Sequence, residues 1–189
     1  MNLFLRKGWR LCALAFVVIY LLGGKFLSLG IVGLFFLGFT LLDIGRLYSF
    51  RFSQVLSRLF LPIFKDREKK SLSSTTIFLG VIFLCFLIFP KAVALTVVVY
   101  SIVGDVFSAL VGRRWGRPFV FGRSLLGSFS FFLSSLISGL FLKNIIGVGL
   151  GFVVLGGVIS TLTELFTPPF LDDNISVPLI TGGFLCLLE

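Results

Sequence analysis

The chain has 189 residues, of which 57% are hydrophobic and 13% charged, with a mean hydropathy of +1.11. This composition excludes a soluble globular domain and predicts an integral membrane protein, a single helical domain spanning residues 1–189. The absence of histidine excludes His-based acid–base chemistry, histidine metal ligands and Ser-His-Asp triads. The net charge of +9 favours lipid headgroups and phosphates as partners rather than nucleic acid, because the basic residues flank apolar segments.

Apolar segments recur along the whole chain and predict an all-α, polytopic transmembrane helical bundle of about seven spans. Several segments are shorter than the ~20 residues of a perpendicular span, so flanking residues must contribute. The predicted spans are residues 11–22, 26–42, 75–89, 92–112, 124–142, 145–163 and 175–188.

The longest polar stretch, residues 43–74, contains a predicted amphipathic surface helix. Within residues 52–63 the apolar side chains recur at helical spacing, and arginine, glutamine and serine occupy the other side.

The distribution of charge predicts the topology. With a cytoplasmic N-terminus, seven spans leave only Lys25, Lys91 and Lys143 of the 17 basic residues on the opposite side. The same arrangement puts every acidic residue except Glu189 in the cytoplasmic half. We therefore expect a multi-pass protein whose site is cytoplasmic and whose C-terminus lies across the bilayer.

The segment 104–128 is the candidate nucleotide loop. Asp105 falls in an apolar segment, where an acid is costly and typical of a functional site. A glycine- and arginine-rich stretch follows, whose backbone N–H groups and guanidinium groups suit phosphate oxygens. A carboxylate beside such a loop favours Mg²⁺ bridging phosphates.

These residues resemble the CTP-dependent lipid-alcohol kinases, a family that includes dolichol, phytol and farnesol kinases and the yeast-type diacylglycerol kinase. The resemblance extends over nearly the whole chain. Its central pattern is Gly104-Asp105, Ala109-Leu110-Val111-Gly112-Arg113, Gly116, Gly122-Arg123-Ser124-Leu125 and Gly127-Ser128. Its outlying matches are Arg6-Lys7, Asp43-x-x-Arg46, Arg67-Glu68, Glu164, Asp173-Asn174 and Pro178.

The resemblance implies a helical membrane enzyme that phosphorylates a prenol or diacylglycerol hydroxyl with CTP and a divalent metal. Asp105 and Glu164 are the expected catalytic residues and metal ligands, and either is a candidate base. The expected nucleotide-binding residues are Gly112, Arg113, Gly116, Gly122, Arg123, Ser124, Gly127, Ser128, Asp173 and Asn174. Further polar candidates are Arg6, Lys7, Asp43, Arg46 and Glu68.

Each role has a structural alternative. Asp105 could instead pair with an arginine, and Glu164 with Arg6, Lys7 or Arg46. Asp43 and Arg46 could form a helix-end ion pair, and Asp173-Asn174 could be a turn. Two features depart from the family: Arg123 replaces the usual lysine, and the histidine that commonly follows the Arg-Lys pair is missing. A cytidylyltransferase that makes a CDP-lipid from CTP and a lipid phosphate, and a small transporter, are the alternative functions.

Overall fold

In the computed structural model, which describes residue 8 and residues 10–48 and 72–188, helices dominate and the predicted all-α fold is confirmed. Along the described chain the helices are α1 (Leu14–Tyr48), α2 (Ser74–Ile88), α3 (Lys91–Trp115), α4 (Leu125–Ile146), α5 (Leu150–Phe166) and α6 (Asp173–Cys186). A short antiparallel hairpin of β1 (Pro118–Val120) and β2 (Arg123–Ser124) connects α3 to α4.

Helix α1 bends back on itself at Gly24. This residue has a φ of 77° and a ψ of −178°, a conformation that is essentially restricted to glycine. The ring centroids of Phe16 and Phe35 lie 5.4 Å apart, whereas a straight helix would separate these residues by about 28 Å. Helix α1 therefore consists of two antiparallel arms, and the bend coincides with the predicted break between the first two apolar segments.

Helix α3 forms the centre of the bundle. Residues 93–100 are all buried, as expected for a helix that is apolar around its whole circumference. All five other described helices pack against it. The hydroxyl of Tyr100 donates a hydrogen bond to the carbonyl of Val153 at 3.0 Å. Close packing depends on Gly139, because a Cβ there would lie 2.1 Å from that hydroxyl.

Three helical stretches of the described chain are long and apolar enough to cross a membrane: Arg10–Tyr48, Lys91–Trp115 and Leu125–Ile146. The predicted count of seven spans is not supported. Helices α2, α5 and α6 have 15, 17 and 14 residues, fewer than the ~20 that a perpendicular crossing needs. The predicted amphipathic helix at 52–63 lies outside the described residues.

The helices alternate in direction, so their ends collect at two ends of the bundle. The site end holds the last turn of α1, the first turn of α2, the hairpin between α3 and α4, and the α5–α6 connection. Ion pairs and hydrogen bonds link these parts. At the opposite end, Lys25 donates to the carbonyl of Leu87 at 2.9 Å.

Candidate functional site

Four parts of the chain converge at the site end and bring ionisable side chains together. Asp105 comes from α3, Arg123 from β2, Glu164 from the last turn of α5 and Asp173 from the first turn of α6. All four were predicted as site residues, and all four line one cleft.

Arg123 is the cation at the centre of this cluster. Its Nη1 lies 2.5 Å from Glu164 Oε1 and its Nη2 lies 3.2 Å from Asp173 Oδ2. Burial by itself would lower the pKa of the Arg123 guanidinium, but the charges of Glu164 and Asp173 raise the pKa above its ordinary value. Arg123 therefore stays charged and holds the ends of α5 and α6 together.

Glu164 is buried and fully engaged. Besides Arg123, it accepts hydrogen bonds from the hydroxyl of Ser108 at 3.2 Å and from that of Ser128 at 2.9 Å. These donors come from α3 and α4, so one carboxylate ties three helices and the hairpin together. The structural alternative for Glu164 was a pairing with Arg6, Lys7 or Arg46. Among the described residues its cation is Arg123, and Arg46 pairs with Asp43.

Asp105 forms an ion pair with Arg10, a residue that the sequence analysis did not single out. The guanidinium of Arg10 lies 5.5 Å from the centroid of the Phe78 ring, which holds it between α2 and α3. The available signal was its position at the border of the first apolar segment, close to the Arg6-Lys7 pair. Arg10 is thus a further basic residue of the site.

Two adjoining cavities occupy the cleft. The larger, of about 420 Å³, lies beneath the α5–α6 connection, and the smaller, of about 250 Å³, lies between α3 and the hairpin. Asp105, Arg123 and Asp173 line both. The larger cavity is also lined by Arg10, Ser74, Phe121, Thr167, Pro168, Pro169, Phe170, Leu171, Asp172 and Asn174. The smaller is also lined by Ser108, Ala109, Gly112, Arg113, Gly116, Pro118, Gly122, Ser124 and Glu164.

The basic, glycine-rich segment is more regular than the predicted loop. Helix α3 continues through Arg113 to Trp115, and the remainder forms the β-hairpin. Phe121 and Gly122 form its turn with φ values of 48° and 79°. Two successive positive φ values are typical of a type I′ turn. The turn directs Phe121 toward the larger cavity.

Glycines allow the hairpin to approach the helices. A Cβ at Gly116 would lie 2.1 Å from Ser124 Oγ and 2.5 Å from the carbonyl oxygen of Gly112. A Cβ at Gly127 would lie 3.3 Å from the Cα of Gly112. Gly112 and Gly116 line the smaller cavity, and Gly127 lets the start of α4 approach Gly112.

Two backbone N–H groups expected to hold phosphate are used within the protein. The Gly116 N–H donates to the Gly112 carbonyl at 3.0 Å and ends α3, and the Gly127 N–H donates to Ser124 Oγ at 3.0 Å and caps α4. The Gly116 N–H completes a helix end in this structure, and the phosphate contact expected at Gly116, which lines the smaller cavity, stays a prediction.

The Asp-Asp-Asn sequence begins α6. Asp172 is the N-cap and accepts hydrogen bonds from the backbone N–H of Asn174 at 3.0 Å and from its side-chain Nδ2 at 2.6 Å. Burial is the main cause that raises the pKa of Asp172, and the neighbouring Asp173 adds to it. Because Asp172 caps the helix, the Asp173 carboxylate contacts Arg123 and lines both cavities.

Asp43 and Arg46 form a separate buried ion pair at 3.1 Å. Asp43 also accepts hydrogen bonds from the Ser73 N–H and the Thr76 hydroxyl, both at 2.7 Å. The pair does not line either cavity, and it fastens the end of α1 to the start of α2. The other polar candidates, Arg6, Lys7 and Glu68, lie outside the described residues.

The donor set suits a metal that is shared with a ligand. Among the described residues no group of three or more His, Cys, Asp or Glu side chains is placed to hold an ion. Asp105, Glu164 and Asp173 do line one small cavity of about 10 Å³, together with Ser101 and Asn174. Oxygen donors in small number fit Mg²⁺, which usually takes one or two carboxylates with waters and substrate phosphates.

Comparison with known proteins finds a relative that matches most of the chain. The chain is 26% identical over 181 residues to the uncharacterized protein RP860 of Rickettsia prowazekii, covering 92% of this chain and 88% of that protein. No family model matches the chain, and no solved structure matches it.

Proposed function

We propose that this protein is a membrane lipid-alcohol kinase that transfers the γ-phosphoryl group of CTP to the hydroxyl of a prenol or a diacylglycerol, with Mg²⁺. The observation that carries the proposal is the cluster of Asp105, Arg123, Glu164 and Asp173 on the walls of two adjoining cavities. Their volumes of about 420 and 250 Å³ together fall in the range of small-molecule sites.

The charge arrangement supports phosphate binding. Arg10 and Arg123 both line the larger cavity, and each is paired with a carboxylate of the site. On this proposal the guanidinium groups turn from the carboxylates to the triphosphate, which releases Asp105 and Glu164. Arginine suits this exchange because its planar fork binds carboxylate and phosphate alike.

Asp105 and Glu164 would hold the divalent ion, which supplies charge neutralisation to the phosphates when bound. Phosphoryl transfer depends mainly on positioning and electrostatic stabilisation, so a site without histidine is sufficient. The hydroxyls of Ser108 and Ser128 keep the Glu164 carboxylate in place. Either carboxylate can accept the proton of the acceptor alcohol.

The acceptor would approach from the side of α4. Leu125, Leu126 and Phe129 are exposed beside the buried Ser124, which lines the smaller cavity. An apolar lipid chain against this surface would place its hydroxyl at the cavity. In this arrangement the hydrocarbon chain of the acceptor lipid stays in the bilayer, while its hydroxyl group reaches the nucleotide in the cavity.

The proposal includes a cytoplasmic site end, with the N-terminus on the same side and the C-terminus across the bilayer. The described acids Asp43, Asp105, Glu164, Asp172 and Asp173 all lie at the site end, together with most described arginines. Lys25 and Lys91 lie at the other end, beside the end of α2. This distribution agrees with the positive-inside rule.

The test is a reconstituted assay with γ-labelled CTP, Mg²⁺ and a panel of prenols and diacylglycerol. We expect label in the lipid, and about a 10²–10³-fold loss with Asp105→Asn or Glu164→Gln, the size expected for an electrostatic catalytic group. Lys143→Gln, a charge change at the other end of the bundle, is the control. If lipid phosphates are supplied and the γ label leaves CTP as pyrophosphate while a CDP-lipid forms, the cytidylyltransferase is established instead. CTP left intact with every lipid would overturn both enzymes and favour transport.

A further inference from the structure

The last turn of α3 and the hairpin that follows it carry an exposed surface that the nucleotide site does not use. We call Arg114, Trp115, Arg117 and Phe119 the hairpin patch. All four are exposed, and Trp115 and Phe119 are each 62% accessible. None of the four lines the two cavities. Large aromatic side chains left open to solvent in this way indicate an interaction surface.

The position of the patch in the chain indicates the part of the bilayer in which it lies. The hairpin joins the end of Lys91–Trp115 to the start of Leu125–Ile146, and both helices are long and apolar enough to span a bilayer. The patch therefore lies where the chain leaves the hydrocarbon and returns to it. Tryptophan and other amphipathic aromatics are enriched at this boundary.

The geometry of the hairpin separates the patch from the site. Pro118 lines the smaller cavity, whereas its neighbour Phe119 lines neither cavity and is 62% accessible. The guanidinium of Arg114 lies 5.1 Å from the centroid of the Trp115 ring, which places a cation directly on an exposed aromatic face.

The positive charge of the hairpin patch indicates which partner binds it. No acidic residue lies between Asp105 and Glu164 in the sequence, so no acidic residue close to them in the chain neutralises Arg114 and Arg117. In a two-fold contact between copies the patch would face itself and bring like charges together. Anionic headgroups instead complement the arginines, and the headgroup layer accommodates the rings.

We infer that the hairpin patch docks on anionic phospholipid headgroups and fixes the depth of the hairpin in the bilayer. Trp115 and Phe119 lie in the boundary layer, and Arg114 and Arg117 contact lipid phosphates. This inference does not depend on the proposed kinase activity, because no patch residue belongs to the nucleotide site.

Tryptophan fluorescence provides the test, since the chain has just two tryptophans, Trp9 and Trp115. The variant Trp9→Phe is reconstituted in vesicles of phosphatidylcholine, with or without phosphatidylglycerol. Quenching is measured with lipids brominated near the headgroup, with lipids brominated deep in the chain, and with iodide. If Trp9→Phe does not fold, the difference between the wild type and Trp115→Phe isolates the same signal.

We expect shallow bromines to quench Trp115 more than deep ones, with protection from iodide. Phosphatidylglycerol should increase shallow quenching by about twofold, an increase that salt reverses. Arg114→Gln with Arg117→Gln should abolish the effect of phosphatidylglycerol. The matched pair Lys91→Gln with Lys143→Gln, which also removes two positive charges, should preserve it.

Two results would overturn the inference. Equal iodide quenching in both vesicle types, without quenching by brominated lipid, would place Trp115 in water. Protection from both iodide and brominated lipid would mean that protein, such as a second copy of the chain, covers the patch.

Discussion

Arg123 and Glu164 are 41 positions apart in the chain, and their side chains meet at 2.5 Å. Because Arg123 also contacts Asp173, one guanidinium joins the hairpin to α5 and α6. The contact links the stability of the site end to residues that the proposed reaction would use.

Replacing Arg123 should destabilise the bundle. Arg123→Gln leaves the buried Glu164 without its cation and should lower the free energy of unfolding by about 2–4 kcal/mol, measured by denaturant unfolding in detergent. The exposed Arg117→Gln is the control, with a change of about 0.5 kcal/mol or less. The double variant Arg123→Gln/Glu164→Gln should lose less free energy of unfolding than the two single variants lose in sum. Strictly additive losses would contradict the ion pair.

Asp43 should prove structural rather than catalytic. Asp43→Asn weakens the ion pair with Arg46 and the bonds to α2, so we expect about 2–4 kcal/mol of destabilisation. Thermal unfolding measures the loss. The CTP assay should show phosphate transfer per folded molecule within about twofold of the wild type, because the pair does not line the cavities. If Asp43→Asn lost phosphoryl transfer while keeping the stability of the wild type, Asp43 would be a residue of the active site.

Gly116 should not tolerate a side chain. In Gly116→Ala the added Cβ would lie 2.5 Å from the backbone oxygen of Gly112, which cannot move without disrupting the end of α3. We expect a loss of about 1–3 kcal/mol in unfolding experiments.

Gly183 in α6 is the matched control for that substitution. A Cβ at this position would have no neighbouring heavy atom within 4 Å, so Gly183→Ala should stabilise the helix by about 0.5–1 kcal/mol. If Gly116→Ala and Gly183→Ala changed the free energy of unfolding equally, the close approach of position 116 to the Gly112 carbonyl would be contradicted.

The raised pKa of Asp172 predicts that the difference in stability between the wild type and Asp172→Asn depends on pH. Burial raises its pKa in the folded protein, so folding favours the protonated form, and stability is lost as the pH rises from about 4 through the raised pKa. Asp172→Asn keeps an acceptor for the Asn174 N–H and removes the buried charge. At pH 7 the variant should melt roughly 2–4 °C higher.

That advantage should disappear as the pH falls below about 4, where Asp172 is protonated in both the folded and the unfolded state. Melting curves of the wild type and the variant over this range provide the measurement. A variant that melts lower at pH 7 would mean that the Asp172 carboxylate gains more from its neighbours than it loses by burial.

The bend in α1 can be tested by cross-linking. With the native cysteines replaced by alanine, a short bismaleimide should join Phe16→Cys to Phe35→Cys within one molecule, because the two rings are in contact. Phe16→Cys with Tyr48→Cys is the control, since Tyr48 lies about 20 Å further along the arm. Peptide mass spectrometry reads the products, and equal yields would contradict the fold-back.

Much of the site could be predicted because its residues are unusual in their local surroundings. Asp105 and Glu164 are acids in apolar segments, and the glycines and arginines of 112–123 stand out for the same reason. The partners could not be predicted. Arg10 lies 95 positions from Asp105, and many arginines are chemically equivalent candidates for one carboxylate.

The sequence by itself determined the helical character of this protein and the presence of helices apolar enough to cross a membrane, because hydropathy and helix propensity are sums over neighbouring residues. It also predicted a break between residues 22 and 26, and the structure shows the bend at Gly24, where the backbone requires glycine. The tertiary structure decided which helices are long enough to span, that the basic segment forms a hairpin, and that Asp43 pairs apart from the cleft. These outcomes depend on packing and on competition among distant partners, which no local pattern contains.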